Sequence, residues 1–89
     1  MKSRTTQRFR ERLDELPANV RDQARAAYQM FEQNPAHPGL QFKKVHDTLP
    51  VDSVRINLDY RAVGILNADD IVWFWIGSHA EYDKVLRRL

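Results

Sequence analysis

The sequence predicts an α+β fold, with a helical hairpin before an antiparallel β-sheet and a short helix after it. Two observations predict this order. Apolar residues recur at helical spacing up to about residue 33, and from about residue 40 they alternate or run continuously as in strands. A loop at 34–39, rich in proline, separates the two halves. The chain has 89 residues, and we expect one domain over 1–89, because chains of this size do not support two cores.

The hairpin is predicted from two apolar stripes separated by Pro17. In the first helix, Phe9, Leu13 and Leu16 fall at i, i+4 and i+7, and Thr5 or Thr6 can cap its start. Proline is acceptable only near a helix start, so Pro17 ends the first helix and opens the second. The apolar stripe of the second helix consists of Val20, Ala24, Ala27, Tyr28 and Phe31.

Three or four antiparallel strands are expected after Gly39. Leu40 and Phe42 alternate with polar neighbours, and 53–58 alternates in the same way. Strands at 60–66 and 71–76 follow, joined by a turn at 67–70. The run 71–76 is apolar on both faces, which predicts an interior strand. Ser78 can cap a final helix whose apolar residues are Tyr82, Val85, Leu86 and Leu89.

Composition narrows the function classes. The net charge is only +2, but seven of the fourteen Lys and Arg residues lie in the first 25 residues beside four acids, which predicts a basic surface there. The absence of cysteine excludes thiol catalysis and disulfides and is compatible with a reducing compartment, so the cytoplasm is the expected location. No apolar segment has the length of a signal core or a membrane span, and no membrane attachment is expected.

Several cations, a histidine and a tyrosine are predicted to converge at one face of the sheet. If Val54 and Ile56 face the helices, Arg55 points to the opposite, open face, and Lys43 joins it by parity. Arg61 shares parity with apolar neighbours, so simple alternation does not assign its face, and a bulge near 59–60 would re-aim it. His79 follows the interior strand and can reach the same face. Tyr82 lies about one helical turn further on.

This set of residue types suits RNA cleavage by attack of the 2′-hydroxyl on its own phosphate. The reaction needs a base, an acid for the leaving 5′-oxygen and cations for the phosphorane, and it requires neither a metal nor a cofactor. Each residue also has an ordinary structural role open to it, as a solvated sheet cation, a capping histidine or a core tyrosine. No two histidines have metal-ligand spacing, so no metal site is predicted.

Four strings in this order resemble the RelE/ParE family of bacterial toxins, namely LQFKK at 40–44, SVRI at 53–56, DYRAV at 59–63 and WIGSH at 75–79. The resemblance covers the chain from the helical hairpin to its end. It implies a curved antiparallel sheet of three to five strands, with a short added strand near residues 2–4. It also implies a toxin that cuts messenger RNA on the ribosome and inhibits translation, and a cognate antitoxin that restrains it.

The resemblance implies catalytic roles for Arg55, Arg61, His79 and Tyr82, with Lys43 and Lys44 as RNA contacts. Two features depart from the family pattern. Ser53 occupies a position that is basic in some members, and Tyr82 follows His79 more closely than is usual. Two alternatives stay open at this point: a ParE-like inhibitor of DNA gyrase, since the fold alone does not choose, and an inactive toxin-like module that only binds a partner.

Overall fold

The computed structural model describes all 89 residues and confirms the α+β order of elements. The strands are β1 (Lys2–Thr5), β2 (Lys43–Lys44), β3 (Val51–Arg55), β4 (Tyr60–Asn67) and β5 (Asp70–Ser78), and the α-helices are α1 (Gln7–Asp14), α2 (Ala18–Gln33) and α3 (His79–Arg88). They form one five-stranded sheet in the order β1-β5-β4-β3-β2. None of the three helices is long and apolar enough to cross a bilayer.

The sheet is mixed, because β1 pairs with β5 in parallel while all other neighbours are antiparallel. The short added strand implied by the resemblance is therefore present at the sheet edge. Ser3 fixes it from two sides: the Trp73 indole donates a 2.9 Å hydrogen bond to the Ser3 hydroxyl, and the Tyr28 hydroxyl donates to the Ser3 carbonyl. As the run 71–76 predicts, β5 is an interior strand, between β1 and β4.

The helical hairpin begins and turns at the predicted residues. Thr6 caps α1 by accepting the Phe9 N–H at 3.1 Å, and Pro17 stands at the N-cap of α2. The apolar stripes of both helices face one side of the sheet, where Phe31 packs edge-on against Trp73 with ring centroids 5.3 Å apart. This is the larger of two cores, and it includes Val54 and contacts Ile56.

A bulge at Phe74 sends the two tryptophans of β5 to opposite faces. Val63 pairs with Trp75 and Gly64 with Trp73, so Phe74 has no partner on β4. Trp73 belongs to the core under the hairpin, whereas Trp75 belongs to a second core on the other face. Simple alternation would put both indoles on one side, and the bulge explains how a continuous apolar strand serves two cores.

The second core lies between the sheet and α3. Val51, Val63, Trp75 and Tyr82 are its buried residues, and Val85 and Leu86 pack against them. Ser78 caps α3 as predicted, accepting the Glu81 N–H at 3.2 Å. We call this side of the sheet, opposite the hairpin, the open face, because α3 covers only part of it.

The alternation predicted directly after Gly39 is wrong in detail. Pro38–Leu40 forms a 3₁₀ turn, Gln41 adopts a left-handed backbone with φ 47°, and regular pairing is limited to Lys43–Lys44. The His37 ring caps this turn by accepting the Gly39 N–H at 3.0 Å, which stabilises a turn in place of a strand. Leu40 is nevertheless buried in the hairpin core.

Candidate active site

Cross-strand pairing assigns Arg61 to the open face, which alternation alone left unresolved. Arg61 stands opposite Arg55 on β3 and opposite Gly77 on β5, and directly paired residues of antiparallel strands share a face. The next residues along this face are Ser53 and Val63, which belong to or border the second core. The bulge in this sheet lies at Phe74, so none near residues 59–60 is involved.

The β3–β4 turn holds the Arg61 guanidinium. Its Nη1 donates to the carbonyl of Asn57 at 2.6 Å and to that of Tyr60 at 3.0 Å. Asn57 in turn orders the turn, because its Oδ1 accepts the N–H groups of Asp59 and Tyr60. The two Nη1 hydrogen bonds fix the direction of this half-buried guanidinium. Its Nε and Nη2 groups make no hydrogen bond within the protein and remain free to donate to a ligand.

Lys43 and Arg55 extend the positive charge across the open face. Lys43 pairs with Ser53, so its side chain lies on the same face as Ser53, Val63 and Trp75. Arg55 lies beyond the short β2, where the outer edge of β3 is unpaired, and it also borders a cleft of 230 Å³ beside Met30. Strand register thus assigns Lys43, Arg55 and Arg61 to one face of the sheet, with Arg55 at the sheet edge beside the cleft that α2 lines.

Lys44 lies on the other face, away from these cations. It pairs with Asp52, which is largely buried on the side of Val54 and the helical hairpin. Burial raises the pKa of the Asp52 carboxyl above its ordinary value of 3.8, and the neighbouring Lys44 ammonium acts in the opposite direction. Of the two lysines predicted to contact RNA, only Lys43 shares a face with the other predicted residues.

His79 is exposed at the first turn of α3, at the rim of the open face. Its backbone N–H donates to the Asp59 carbonyl at 2.7 Å, which ties the start of α3 to the β3–β4 turn that also holds Arg61. The ring lies 5.6 Å from that of Tyr82, measured between centroids, and Nδ1 lies 3.7 Å from an Asp83 carboxylate oxygen. His79 and Arg61 are thereby anchored to one short segment.

Tyr82 is buried beneath His79. Only 7% of the residue is exposed, and its hydroxyl donates to the hydroxyl of Ser53 at 3.2 Å. The centroid of the Trp75 ring lies 6.5 Å from that of Tyr82. The tyrosine hydroxyl therefore already has a partner inside the second core, whereas the imidazole above it is open to a ligand.

Arg12 also lies at the end of the sheet where β5 passes into α3, near His79. The sequence did not predict this position, because Arg12 belongs to the polar side of α1. Its Nε donates to the Ile76 carbonyl at 2.8 Å, its guanidinium lies 5.1 Å from the Trp75 ring centroid, and Nη2 contacts Glu81 at 3.5 Å. Gly77 makes room for this arrangement, because a Cβ there would lie 2.9 Å from Arg12 Nη2. The sequence feature that corresponds most closely to this Arg12 contact is the glycine two residues after Trp75, and its meaning depends on the folded arrangement.

The other two imidazoles are occupied elsewhere. The Nδ1 of His37 caps the 3₁₀ turn, and that of His46 accepts the N–H groups of Thr48 at 3.2 Å and Leu49 at 3.0 Å. No group of three or more His, Asp or Glu side chains comes together in a way that would hold a metal ion. The open face therefore offers cations and one exposed imidazole.

The description "ParE-like toxin domain" belongs to the family model that matches residues 18–84, most of the chain. The chain belongs to the ParE-like toxin family. The match begins with α2 and includes every predicted site residue, from Lys43 to Tyr82. A search of curated proteins found no match.

Solved structures of RelE and YafQ share the fold of the chain at low sequence identity. The RelB-RelE antitoxin-toxin complex from Methanococcus jannaschii matches with a TM-score of 0.73 and 15% identity, over 91% of this chain and 95% of the other. YafQ from E. coli matches with a TM-score of 0.70 and 10% identity, over 91% and 96% of the two chains. The isolated E. coli RelE toxin has a TM-score of 0.66 and 15% identity, over 99% and 98%. The ParE-like toxin described here thus has the RelE fold.

Proposed function

We propose that this ParE-like toxin is the toxin component of a toxin-antitoxin system, and that it cuts messenger RNA on the ribosome without a metal. One observation carries the proposal, namely that the backbone of His79, whose imidazole is exposed, is anchored to the same turn as the Arg61 guanidinium, on the face that also bears Lys43 and Arg55. The likeness to RelE and YafQ toxins adds support.

The chemistry follows from the charges on this face. A 2′-hydroxyl that attacks its own phosphate forms a phosphorane whose added negative charge is stabilised by fixed cations, and Arg61 and Arg55 supply them. His79 transfers a proton at the reacting centre, because histidine is the side chain used most often for general acid and base catalysis and this imidazole is exposed at the rim of the face. Lys43 contributes to holding the RNA backbone. The buried Tyr82 hydroxyl takes no part in proton transfer in this scheme.

Single substitutions test the assignment. Arg61→Ala and His79→Ala should each reduce cleavage by roughly 10²–10⁴-fold while the fold is retained, because phosphorane stabilisation and proton transfer act in the transition state. His79→Gln keeps a hydrogen-bond donor but does not shuttle a proton, so it should lose activity as well. The control is Lys44→Ala, whose side chain lies on the opposite face and which should retain most cleavage.

The readout has to separate RNA cleavage from other toxic activities. Mapping message ends and DNA breaks in the same induced culture distinguishes these activities. Cut messages support the nuclease, and trapped DNA breaks with intact messages indicate a gyrase inhibitor. Intact messages, intact DNA and normal growth together indicate an inactive binding module. Loss of cleavage in EDTA, with intact ribosomes and substrate, would contradict a metal-independent mechanism.

The partner we propose is a cognate antitoxin with an acidic, amphipathic segment that orders on binding. RelE toxins have been solved in complex with RelB antitoxins from Methanococcus jannaschii and Pyrococcus horikoshii, which supports a partner of this kind. Cations on the open face favour an acidic segment, since such a segment would neutralise the site and block RNA at the same time.

A further inference from the structure

The three histidines of the chain have different hydrogen-bonding environments at Nδ1. In His37 and His46, Nδ1 accepts backbone N–H groups, so the neutral form of each ring must carry its proton on Nε2. In His79, Nδ1 instead faces the Asp83 carboxylate one helical turn later, at 3.7 Å. The contact is longer than a hydrogen bond, but the negative charge of the carboxylate beside Nδ1 favours the ring form that carries its proton there.

Below the ring, Tyr82 limits the positions that His79 can adopt. The Tyr82 ring lies 5.6 Å from the imidazole and is itself fixed between Trp75 and the buried hydroxyl of Ser53. Ser53 is 1% exposed, so water does not compete for the bond with the tyrosine hydroxyl. Tyr82 thus lies against the exposed imidazole, with its own ring held by contacts inside the second core.

We propose that Asp83 and the Ser53–Tyr82 pair are positioning residues for His79. The Asp83 carboxylate favours the Nδ1–H tautomer of the neutral ring, which places the free lone pair on Nε2. Tyr82, held by Ser53, fixes the ring over the end of the sheet. This inference rests on the proposed nuclease function, for which it names the atom that exchanges the proton and assigns Tyr82 a supporting role.

The proton balance of the step is simple. Nε2 accepts the proton of the 2′-hydroxyl as the 2′-oxygen bonds to phosphorus, and the bond from phosphorus to the 5′-oxygen breaks. The leaving 5′-oxygen takes a proton from water, and the imidazolium later returns its proton to solvent. Asp83 stabilises the imidazolium while it lasts, since the charge then lies beside a carboxylate.

Nitrogen NMR of the full chain tests the tautomer without any substrate. In alkaline buffer, where imidazoles are neutral, His37 and His46 should appear as Nε2–H tautomers and His79 as the Nδ1–H tautomer. Asp83→Ala should move only His79 toward Nε2–H. The matched control is Asp14→Ala, an exposed aspartate on α1, which should move none of the three. An Nε2–H tautomer at His79 in the unmodified protein overturns the inference, whether or not the protein cuts RNA.

Kinetics test the consequence of positioning. Asp83→Ala should lower kcat by about 10–100-fold with KM little changed, while Asp14→Ala keeps full activity. Unchanged kcat in Asp83→Ala would contradict the inference, whereas absence of cleavage by the unmodified protein would contradict only the proposed function.

A double-variant cycle separates a supporting from a catalytic Tyr82. If the tyrosine hydroxyl acts only through Ser53, then Ser53→Ala combined with Tyr82→Phe loses no more activity than the worse single variant. Ser53→Thr, which keeps a hydroxyl, should restore part of the activity lost in Ser53→Ala. If Tyr82→Phe loses the same factor with and without Ser53, Tyr82 is catalytic and this part of the inference is wrong.

Discussion

Asp52 is a carboxylate that the proposed chemistry does not use, and it weakens the fold when it is ionised. Burial raises the pKa of Asp52 above 3.8, so the folded state binds a proton more tightly than the unfolded chain does. The stabilising effect of that proton is fully present below the unfolded value. It is lost as pH rises through the folded pKa.

Asp52→Asn should therefore make the protein more stable than the unmodified chain at neutral pH, and the difference should shrink as pH falls toward 3.8. Urea unfolding at a series of pH values measures this. Asp47→Asn, at an exposed loop position, is the control and should show no such trend. A stability difference for Asp52→Asn that does not change with pH would contradict burial as the cause.

At the scale of elements, Gly77 determines how β5 passes into α3. A Cβ at Gly77 would lie 2.6 Å from the Trp75 ring and 2.9 Å from Arg12, two side chains that are themselves packed together. Gly77→Ala should destabilise the protein by about 1–3 kcal/mol, the usual cost of overpacking. Chemical denaturation measures the loss.

The matched control for Gly77→Ala is Gly39→Ala. At Gly39 the nearest atoms belong to the His37 ring at 3.2 Å, a side chain that can shift, and both glycines have negative φ. Gly39→Ala should cost clearly less. Equal losses at the two positions would show that the contact with Trp75 and Arg12 is not what requires glycine at 77.

Helix boundaries were predictable from sequence because they depend on neighbouring residues. Thr6, Pro17 and Ser78 act within one turn of their own positions, and all three cap or open the predicted helices. The faces of Arg61 and Trp75 were not predictable in the same way. They depend on which residue of the next strand lies opposite and on the bulge at Phe74, and both are properties of the assembled sheet.

In the candidate site, too, the features set by the sequence could be predicted and those set by the assembled fold could not. The residue types of Lys43, Arg55, Arg61 and His79 could be recognised from sequence, but the roles of Ser53 and Asp83 could not. Ser53 meets Tyr82 only because α3 folds back over the open face. Asp83 is one helical turn from His79, yet a pair at this spacing on an exposed helix is ordinary until the ring is seen over a buried tyrosine.

At the scale of the whole molecule, 89 residues bury a limited core, so binding of a partner should raise stability measurably. A partner present at 100 times its Kd adds about 2.7 kcal/mol, which corresponds to a rise in Tm of roughly 10–20 °C for a domain of this size. Thermal unfolding with and without the product of an adjacent reading frame measures the shift.

The control for the partner experiment is an acidic peptide without apolar residues at the same concentration. It should shift Tm far less, because the proposed antitoxin also covers apolar surface. If no adjacent product forms a complex under conditions where both proteins fold, the assignment to a toxin-antitoxin pair is wrong.

The place of β5 in the sheet also determines when the protein can fold during its synthesis. Lys2 pairs with Asp70, and α1 and α3 both pack on β5, which is made after every other strand. A chain growing on the ribosome therefore releases β1 and the helical hairpin before β5, the strand on which β1 and α1 pack, has been made. The hairpin core therefore lacks Ile71, Trp73 and Ile76 until β5 emerges, and the second core lacks Trp75 until then. The sheet that carries Lys43, Arg55 and Arg61 is therefore completed only when β5 takes its place between β1 and β4.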